Sequence, residues 1–257
     1  MEIEVRFEMG FAIFRILAHR ILATNSLHLA KYLLTSHHFP HPDHSPILPN
    51  LSTSSILELG SGTGYLGLAL RSIFPSTPNP SNSNLKSPFT SSSSASPFQW
   101  TFSDQLENLP LVLRNLHANG VPSFQIGDSP SQPYSIVELD WLAESAAYLA
   151  KKSLPSGTSP PDIILAIDCI YNPSLSTPLA HTILRYSGPQ TVVVVAAELR
   201  DSEALEVFLR CWIEEGEKEG WRIARLGWSQ EERRVVGELS ESRFVTWVGW
   251  REDGVSK

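Results

Sequence analysis

The stretch ILELGSGTGYLG, residues 56–67, constrains the fold more than any other part of the chain, because it joins three elements in a fixed order. Residues 55–59, SILEL, form an apolar run of strand length. Gly60, Gly62 and Gly64 follow at every second position, and YLGLALRSIF then carries apolar residues at helical spacing. Strand, glycine turn and helix in succession open an α/β unit. Such a turn needs glycine where φ is positive or where a ligand meets the backbone, and the helix N–H groups behind it favour polar or anionic ligand groups. Gly62, Gly64 and Gly67 also spell G-x-G-x-x-G, so spacing alone leaves a nicotinamide cofactor and another adenosine ligand both open.

The alternation continues along the chain. FQWTFSD (98–104) reads as a strand ending in an acid, and QLENLPLVLRNLHANG as a helix stopped by Gly120. YSIVELDW from Tyr134 is a third strand, with a helix in WLAESAAYLAKKSL. DIILAIDCIY and QTVVVVAAEL are near-continuous apolar runs of the kind buried on both faces of a parallel sheet. SEALEVFLRCWIEEGEKEG is helical by periodicity. WRIARLGW, RRVVGEL and RFVTWVGW then read as strands with connections too short for helical crossovers, which predicts an antiparallel end to the sheet. The expected fold is α/β, a doubly wound, mostly parallel seven-stranded sheet with helices on both faces and an antiparallel C-terminal hairpin.

Two regions stand apart. Residues 11–34 place apolar side chains three and four apart, which predicts a helical cap within residues 1–50 ahead of a single domain over 51–257. Residues 75–97 are Ser, Pro and Asn with little to bury, so they are expected to be a disordered insertion.

Composition removes several function classes. The net charge of -7 argues against direct nucleic-acid binding, which draws on clustered Lys and Arg. No apolar run approaches the ~20 residues of a membrane span, and Arg15, His19 and Arg20 interrupt the first one, so a cytoplasmic, and also nuclear, location is expected. Cys169 and Cys211 lie far apart without CxxC spacing, and His37, His38, His41 and His44 sit among prolines without converging spacing; no metal site is expected. Trp221, Trp228, Trp247 and Trp250 fall in the terminal strand runs and read as sheet packing.

Two acids favour one ligand. Glu58 lies inside the first strand, where a carboxylate needs a hydrogen-bonding partner, and it is expected to brace the loop and meet a cationic or donor-rich ligand group while repelling pyrophosphate. Asp104 stands 40 residues beyond Gly64, and 23 of those belong to the 75–97 insertion, which leaves 17. An acid about 20 residues past the turn, at the end of the second strand, suits the ribose hydroxyls. Adenine, ribose and a zwitterionic amino-acid tail without phosphate satisfy both acids and the glycines together, and S-adenosylmethionine is that molecule.

ILELGSGTGYLG, TFSD, VELDW, DIILAIDCIYNPSL and AAELRD occur in the order seen in the seven-β-strand protein lysine methyltransferases of methyltransferase family 16, which the chain resembles from about Leu51 to Trp250. DCIYNPSL is most similar to the fungal ribosomal lysine methyltransferase branch. The resemblance implies that Glu58, Gly60, Ser61, Gly62 and Gly64 wrap the methionine part of the cofactor. It further implies that Asp104 binds the ribose, Trp141 packs against adenine, and Ile167 and Asp168 line the cofactor. DCIY looks like the family's Asp-x-x-Tyr motif, so Asp168 is expected to orient and partly desolvate the acceptor amine, with Tyr171 as its wall and hydrogen-bond partner. Glu198 and Arg200 either shape the substrate mouth or form an internal salt bridge. The implied partner is a protein, a ribosomal protein among the candidates.

The chain departs from the family at its start. Where relatives carry Thr-Gly and a Trp ahead of a helix, this chain has RILATNSLHLAKYLL, and the β-rich N-terminal extension is not evident in its sequence. Two other readings stay open: a nicotinamide-dependent oxidoreductase, on the G-x-G-x-x-G spacing, and a non-catalytic module on a degenerate methyltransferase fold, on the departure at the N-terminus.

Overall fold

The computed structural model describes residues 3–9, 12–18, 51–70, 98–121, 126, 133–226 and 244–251. A short 3-10 turn, Leu51–Thr53, leads into β3, Ser55–Leu59, and the glycine turn delivers the chain to α1, Tyr65–Leu70. Then come β4 (Gln99–Asp104), α2 (Leu109–Ala118), β5 (Tyr134–Glu138), α3 (Trp141–Leu149), β6 (Ile163–Ile167) and α4 (Pro173–Tyr186). The domain ends with β7 (Val192–Glu198), α5 (Ser202–Glu217), β8 (Trp221–Arg225) and β9 (Phe244–Arg251).

These seven strands form one sheet in the order β5-β4-β3-β6-β7-β9-β8. The pairs among β5, β4, β3, β6 and β7 are parallel, whereas β9 runs antiparallel to both β7 and β8. The expected doubly wound sheet with an antiparallel end is therefore observed. β3 lies between β4 and β6, so the connections leave it in opposite directions, and the crevice beyond its C-terminal end is where ligands bind in open α/β sheets.

Side-chain alternation divides the core into two layers. Ile56, Trp100, Phe102, Ile163, Leu165 and Val194 pack with α1 and α2 through Leu66, Leu70, Val112 and Leu116. Leu57, Leu59, Ile164, Ala166, Val193 and Val195 pack on the other face with α4 and α5 through Leu179, Ile183, Phe208 and Trp212. The third Gly of the fingerprint serves this packing: a Cβ on Gly67 would lie 2.6 Å from Phe102 and 2.8 Å from Trp100.

The N-terminal helical cap is corrected over part of its length. Ala12–Ala18 is a strand, β2, paired antiparallel with β1, Ile3–Met9, so a β-hairpin occupies the start of the chain, and β2 runs beside α2. The physical reason lies in IEVRFEM, where Ile3, Val5, Phe7 and Met9 alternate with Glu4, Arg6 and Glu8 at period two; AIFRILA is apolar enough to suit either period and follows its partner. Paired strands therefore stand at residues 3–9 and 12–18, where the sequence shows no evident β-rich segment. Residues 19–34, the 75–97 insertion, RRVVGEL and the four histidines of 37–44 lie outside the described residues. PSLSTPLAHTILRY, which is α4, has no counterpart among the elements expected from the sequence.

Candidate active site

The site is built where β3, β4, β5, β6 and β7 end. Gly60, Gly62 and Gly64 adopt φ of 63°, 56° and 70°, the left-handed region that only glycine enters at little cost. Their surroundings differ. A Cβ on Gly60 would lie 2.8 Å from Cys169 Sγ and 3.2 Å from the Trp141 ring, whereas one on Gly62 would meet only the Gly60 carbonyl oxygen, at 3.9 Å. Gly60 is thus closed in by the protein, and Gly62 presents bare backbone outward.

The loop is stitched to β4. Ser61 N–H donates to the Ser103 carbonyl at 2.9 Å, Ser103 N–H donates to Ser61 Oγ at 3.0 Å, and both hydroxyls donate to the Glu58 carbonyl, at 3.1 and 2.8 Å. Asn115, fully buried on α2, donates to the Thr63 carbonyl at 2.8 Å. Asp104 Oδ2 accepts from Gly62 N–H at 2.8 Å, and its Oδ1 accepts from Gln105 N–H and Asn108 Nδ2, both at 2.8 Å. Asp104 therefore fixes the direction of the Gly62 peptide, a role its distance along the chain did not disclose.

Glu58 is buried on the α1/α2 side of the sheet, where its Oε2 accepts from Trp100 Nε1 at 2.9 Å. Burial, opposed by that hydrogen bond and reinforced by the nearby Asp104 charge, pushes its pKa up to about 8. The side chain is thus largely protonated at neutral pH. The expected repulsion of pyrophosphate by an ionised carboxylate loses support, because desolvation outweighs the single indole donor.

Trp141 opens α3, which Asp140 caps by accepting from Leu142 N–H at 2.9 Å. The indole lies against Gly60, packed on the core layer that holds Cys169, and its Nε1 is buried without a hydrogen-bond partner. Ile167 ends β6, buried within the core layer of α1 and α2. Cys169 donates from Sγ to the Leu59 carbonyl at 3.2 Å, and burial raises its pKa well above the usual thiol range, so it is an inert packing thiol.

Beyond β6, Asp168 holds φ of 60°, an unusual conformation for a residue with a side chain, while its N–H donates to the Ala196 carbonyl at 2.7 Å. Its carboxylate pairs with Arg200 at 3.0 Å, and Arg200 also approaches Glu198 at 3.7 Å. Of the two readings of Glu198 and Arg200, the internal salt bridge is present, and it stands at the mouth. Tyr171 is exposed, with the Arg200 guanidinium 5.7 Å from its ring centre, and desolvation raises its pKa. The structure thus gathers Glu58, the three glycines, Ser61, Asp104, Trp141, Ile167, Asp168 and Tyr171 along one edge. Sequence reasoning missed Trp100, Ser103 and Asn115, none of which carries a local signal. Among the described residues no His, Cys, Asp and Glu cluster is suited to a metal, and no helix is long and apolar enough to cross a membrane.

Sheet order, antiparallel β9 and a glycine loop at the switch point define the Rossmann-like methyltransferase class. Chains similar in fold include two with TM-scores of at least 0.50. One, from Streptococcus mutans and described as a SAM-dependent methyltransferase, is 11% identical with a TM-score of 0.50. The other, SMU.776, a methyltransferase solved with SAH, is 12% identical with a TM-score of 0.52. The alignments cover 96% of this chain and 55% of each of those chains. No curated protein matches by sequence. The family model of the lysine methyltransferases matches residues 22–214, and the chain belongs to that family.

Proposed function

We propose that the chain is an S-adenosylmethionine-dependent methyltransferase that modifies a lysine side chain of a protein. The observation that carries this reading is the outward-facing Gly62 peptide, held by Asp104 at the switch point of the sheet. The residues fit the cofactor: a cradle without a side chain lies at Gly62, and a buried indole N–H at Trp141 lacks an acceptor. In this reading Glu58, Gly60, Ser61, Gly62 and Gly64 hold the methionine part, Asp104 faces the ribose, Trp141 and Ile167 flank the adenosine, and Asp168 with Tyr171 receives the acceptor. When bound, S-adenosylmethionine supplies a methyl group on a sulfonium centre.

The chain's own work is orientation. Methyl transfer requires an amine with a free lone pair, whereas free lysine has a pKa near 10.4, so the mouth must favour the neutral form and align it. Asp168, strained and set at the strand end, offers a carboxylate and a carbonyl for that alignment; Tyr171 offers an aromatic wall and a hydroxyl held protonated by desolvation. Glu58, largely neutral, adds no full charge beneath the loop. The nicotinamide reading loses support, because β9 breaks the parallel order of a dinucleotide fold and the family is that of the lysine methyltransferases.

The similarity of DCIYNPSL to the fungal ribosomal branch supports a ribosomal protein as target, and a cytoplasmic and nuclear location accords with it. The test is incubation of the chain with labelled S-adenosylmethionine and cell extract, then mass spectrometry of the labelled band. Methyl-lysine in a ribosomal protein is expected. Label on another residue type would overturn the lysine assignment, and cofactor binding without any labelled protein would favour the non-catalytic module.

A further inference from the structure

The position at the acceptor mouth best suited to a cation is already filled by the chain itself. Arg200 follows β7 by two residues, and its N–H donates to the Glu198 carbonyl at 2.8 Å, a tight turn that returns the side chain across the ends of β6 and β7. There the guanidinium meets Asp168 Oδ2 at 3.0 Å, Glu198 Oε2 at 3.7 Å and the face of Tyr171 at 5.7 Å. Two carboxylates and an aromatic face are the surroundings that an ammonium group seeks. The Arg200 side chain is 39% exposed and that of Asp168 only 11%, so the deeper carboxylate has the cation on its solvent side.

We infer that Arg200 selects the neutral amine: its guanidinium occupies the ammonium position with a charge that it cannot lose, so an acceptor lysine that comes in beside it is productive only after shedding its proton. The inference rests on the assignment of Asp168 and Tyr171 to the acceptor. Arginine keeps its charge at every pH of interest, and a second cation beside it is disfavoured by like-charge repulsion, which lowers the pKa of a bound lysine. The proton passes to water, the nitrogen keeps its lone pair, and no side chain need act as a base. Without Arg200, an entering ammonium would meet Asp168 and Glu198 with no guanidinium beside it and be held more readily in its unreactive form.

Other charged and titratable groups surround this point. Asp168, Cys169 and Tyr171 follow β6, Glu198 and Asp201 follow or end β7, and Asp104 and Glu58 lie on β4 and β3. Burial raises Cys169 and Tyr171, which stay protonated near neutrality, while Glu58, near 8, is common to every variant compared and cancels between them.

The experiment uses tritiated S-adenosylmethionine and the protein that the wild-type chain labels in extract, from about pH 6.5 to about pH 9.5, because the profile of kcat reports groups in the bound complex. Arg200→Gln is expected to lower KM for the acceptor at neutral pH and to reduce kcat there by about tenfold. Its acidic limb should move up by about one pH unit, so that the rate recovers at the alkaline end. Arg200→Lys, which keeps the charge, is expected to keep the wild-type limb. An equal loss at every pH, or a raised KM with an unmoved limb, would overturn the inference and leave Arg200 as a brace for its loop. Binding of S-adenosylhomocysteine to Arg200→Gln, read by calorimetry, separates these outcomes from misfolding. Absence of lysine labelling by the wild-type chain would instead refute the proposed function.

Discussion

Gly60 and Gly62 share a left-handed conformation but differ in what lies above them, and this separates fold from binding. Alanine at either position pays about 1–2 kcal/mol for the backbone. At Gly60 the added Cβ also collides with Cys169 Sγ and the Trp141 ring, an overpacking that costs about 1–3 kcal/mol more. Gly60→Ala is therefore expected to lose about 2–5 kcal/mol, a fall in Tm of roughly 4–20 °C for a domain of this size. Gly62→Ala meets only the Gly60 carbonyl oxygen, at 3.9 Å, so it should lose no more than the backbone strain. Its methyl group projects where the cofactor is proposed to lie, and affinity for S-adenosylhomocysteine should fall by about tenfold or more, a change worth about 1.4 kcal/mol. Thermal unfolding with and without S-adenosylhomocysteine reads both effects. At about 100 times the wild-type Kd, ligand adds about 2.7 kcal/mol to the wild-type chain, and Gly62→Ala should gain about half of that or less. A full ligand-induced shift in Gly62→Ala, or a smaller stability loss in Gly60→Ala than in Gly62→Ala, would refute this division of roles.

Glu58 makes stability depend on pH. Its folded pKa, near 8, exceeds the ordinary 4.5, so the folded state holds a proton that the unfolded state has released, and stability falls as pH rises from about 4.5 to about 8. Glu58→Gln, which can still accept from Trp100 Nε1, should flatten that slope in denaturant titrations between those pH values; an unchanged slope would place the dependence elsewhere. Asn115→Leu removes the donor to the Thr63 carbonyl and should cost about 1–3 kcal/mol, with a weaker ligand-induced Tm shift. Arg185 joins α4 to α3 through Glu144 at 2.6 Å and bonds the carbonyl of Ser153 at 2.9 Å. Arg185→Ala should cost about 2–4 kcal/mol by chemical denaturation, with cofactor affinity unchanged.

The parts of the fold visible in the sequence are those whose signal is local. SILEL is bounded by a glycine turn and matches β3 residue for residue, and the apolar runs of β6 and β7 announce a sheet buried on both faces. α4 escaped because nearly all of its residues from Ser176 onward are buried, which erases the amphipathic period, and because Pro178 lies inside it. Pro173 at its first position and Asn172 as cap were the available signals, the side chain of Asn172 accepting from Ser174 N–H at 3.0 Å. The N-terminal hairpin was misread because AIFRILA suits either period and only its partner settles the matter. At the site, the glycines and the two acids were legible as residue types. Their electrostatic states were not, because Glu58 is governed by burial and by Trp100, 42 positions away, and Asp168 by Arg200 on the adjacent strand end.

Calorimetric titration of the wild-type chain with S-adenosylhomocysteine and, separately, with NADH addresses the cofactor assignment most directly. Saturable one-to-one binding of S-adenosylhomocysteine is expected, with no heat of binding for NADH. Saturable binding of NADH, with none for S-adenosylhomocysteine, would contradict that assignment.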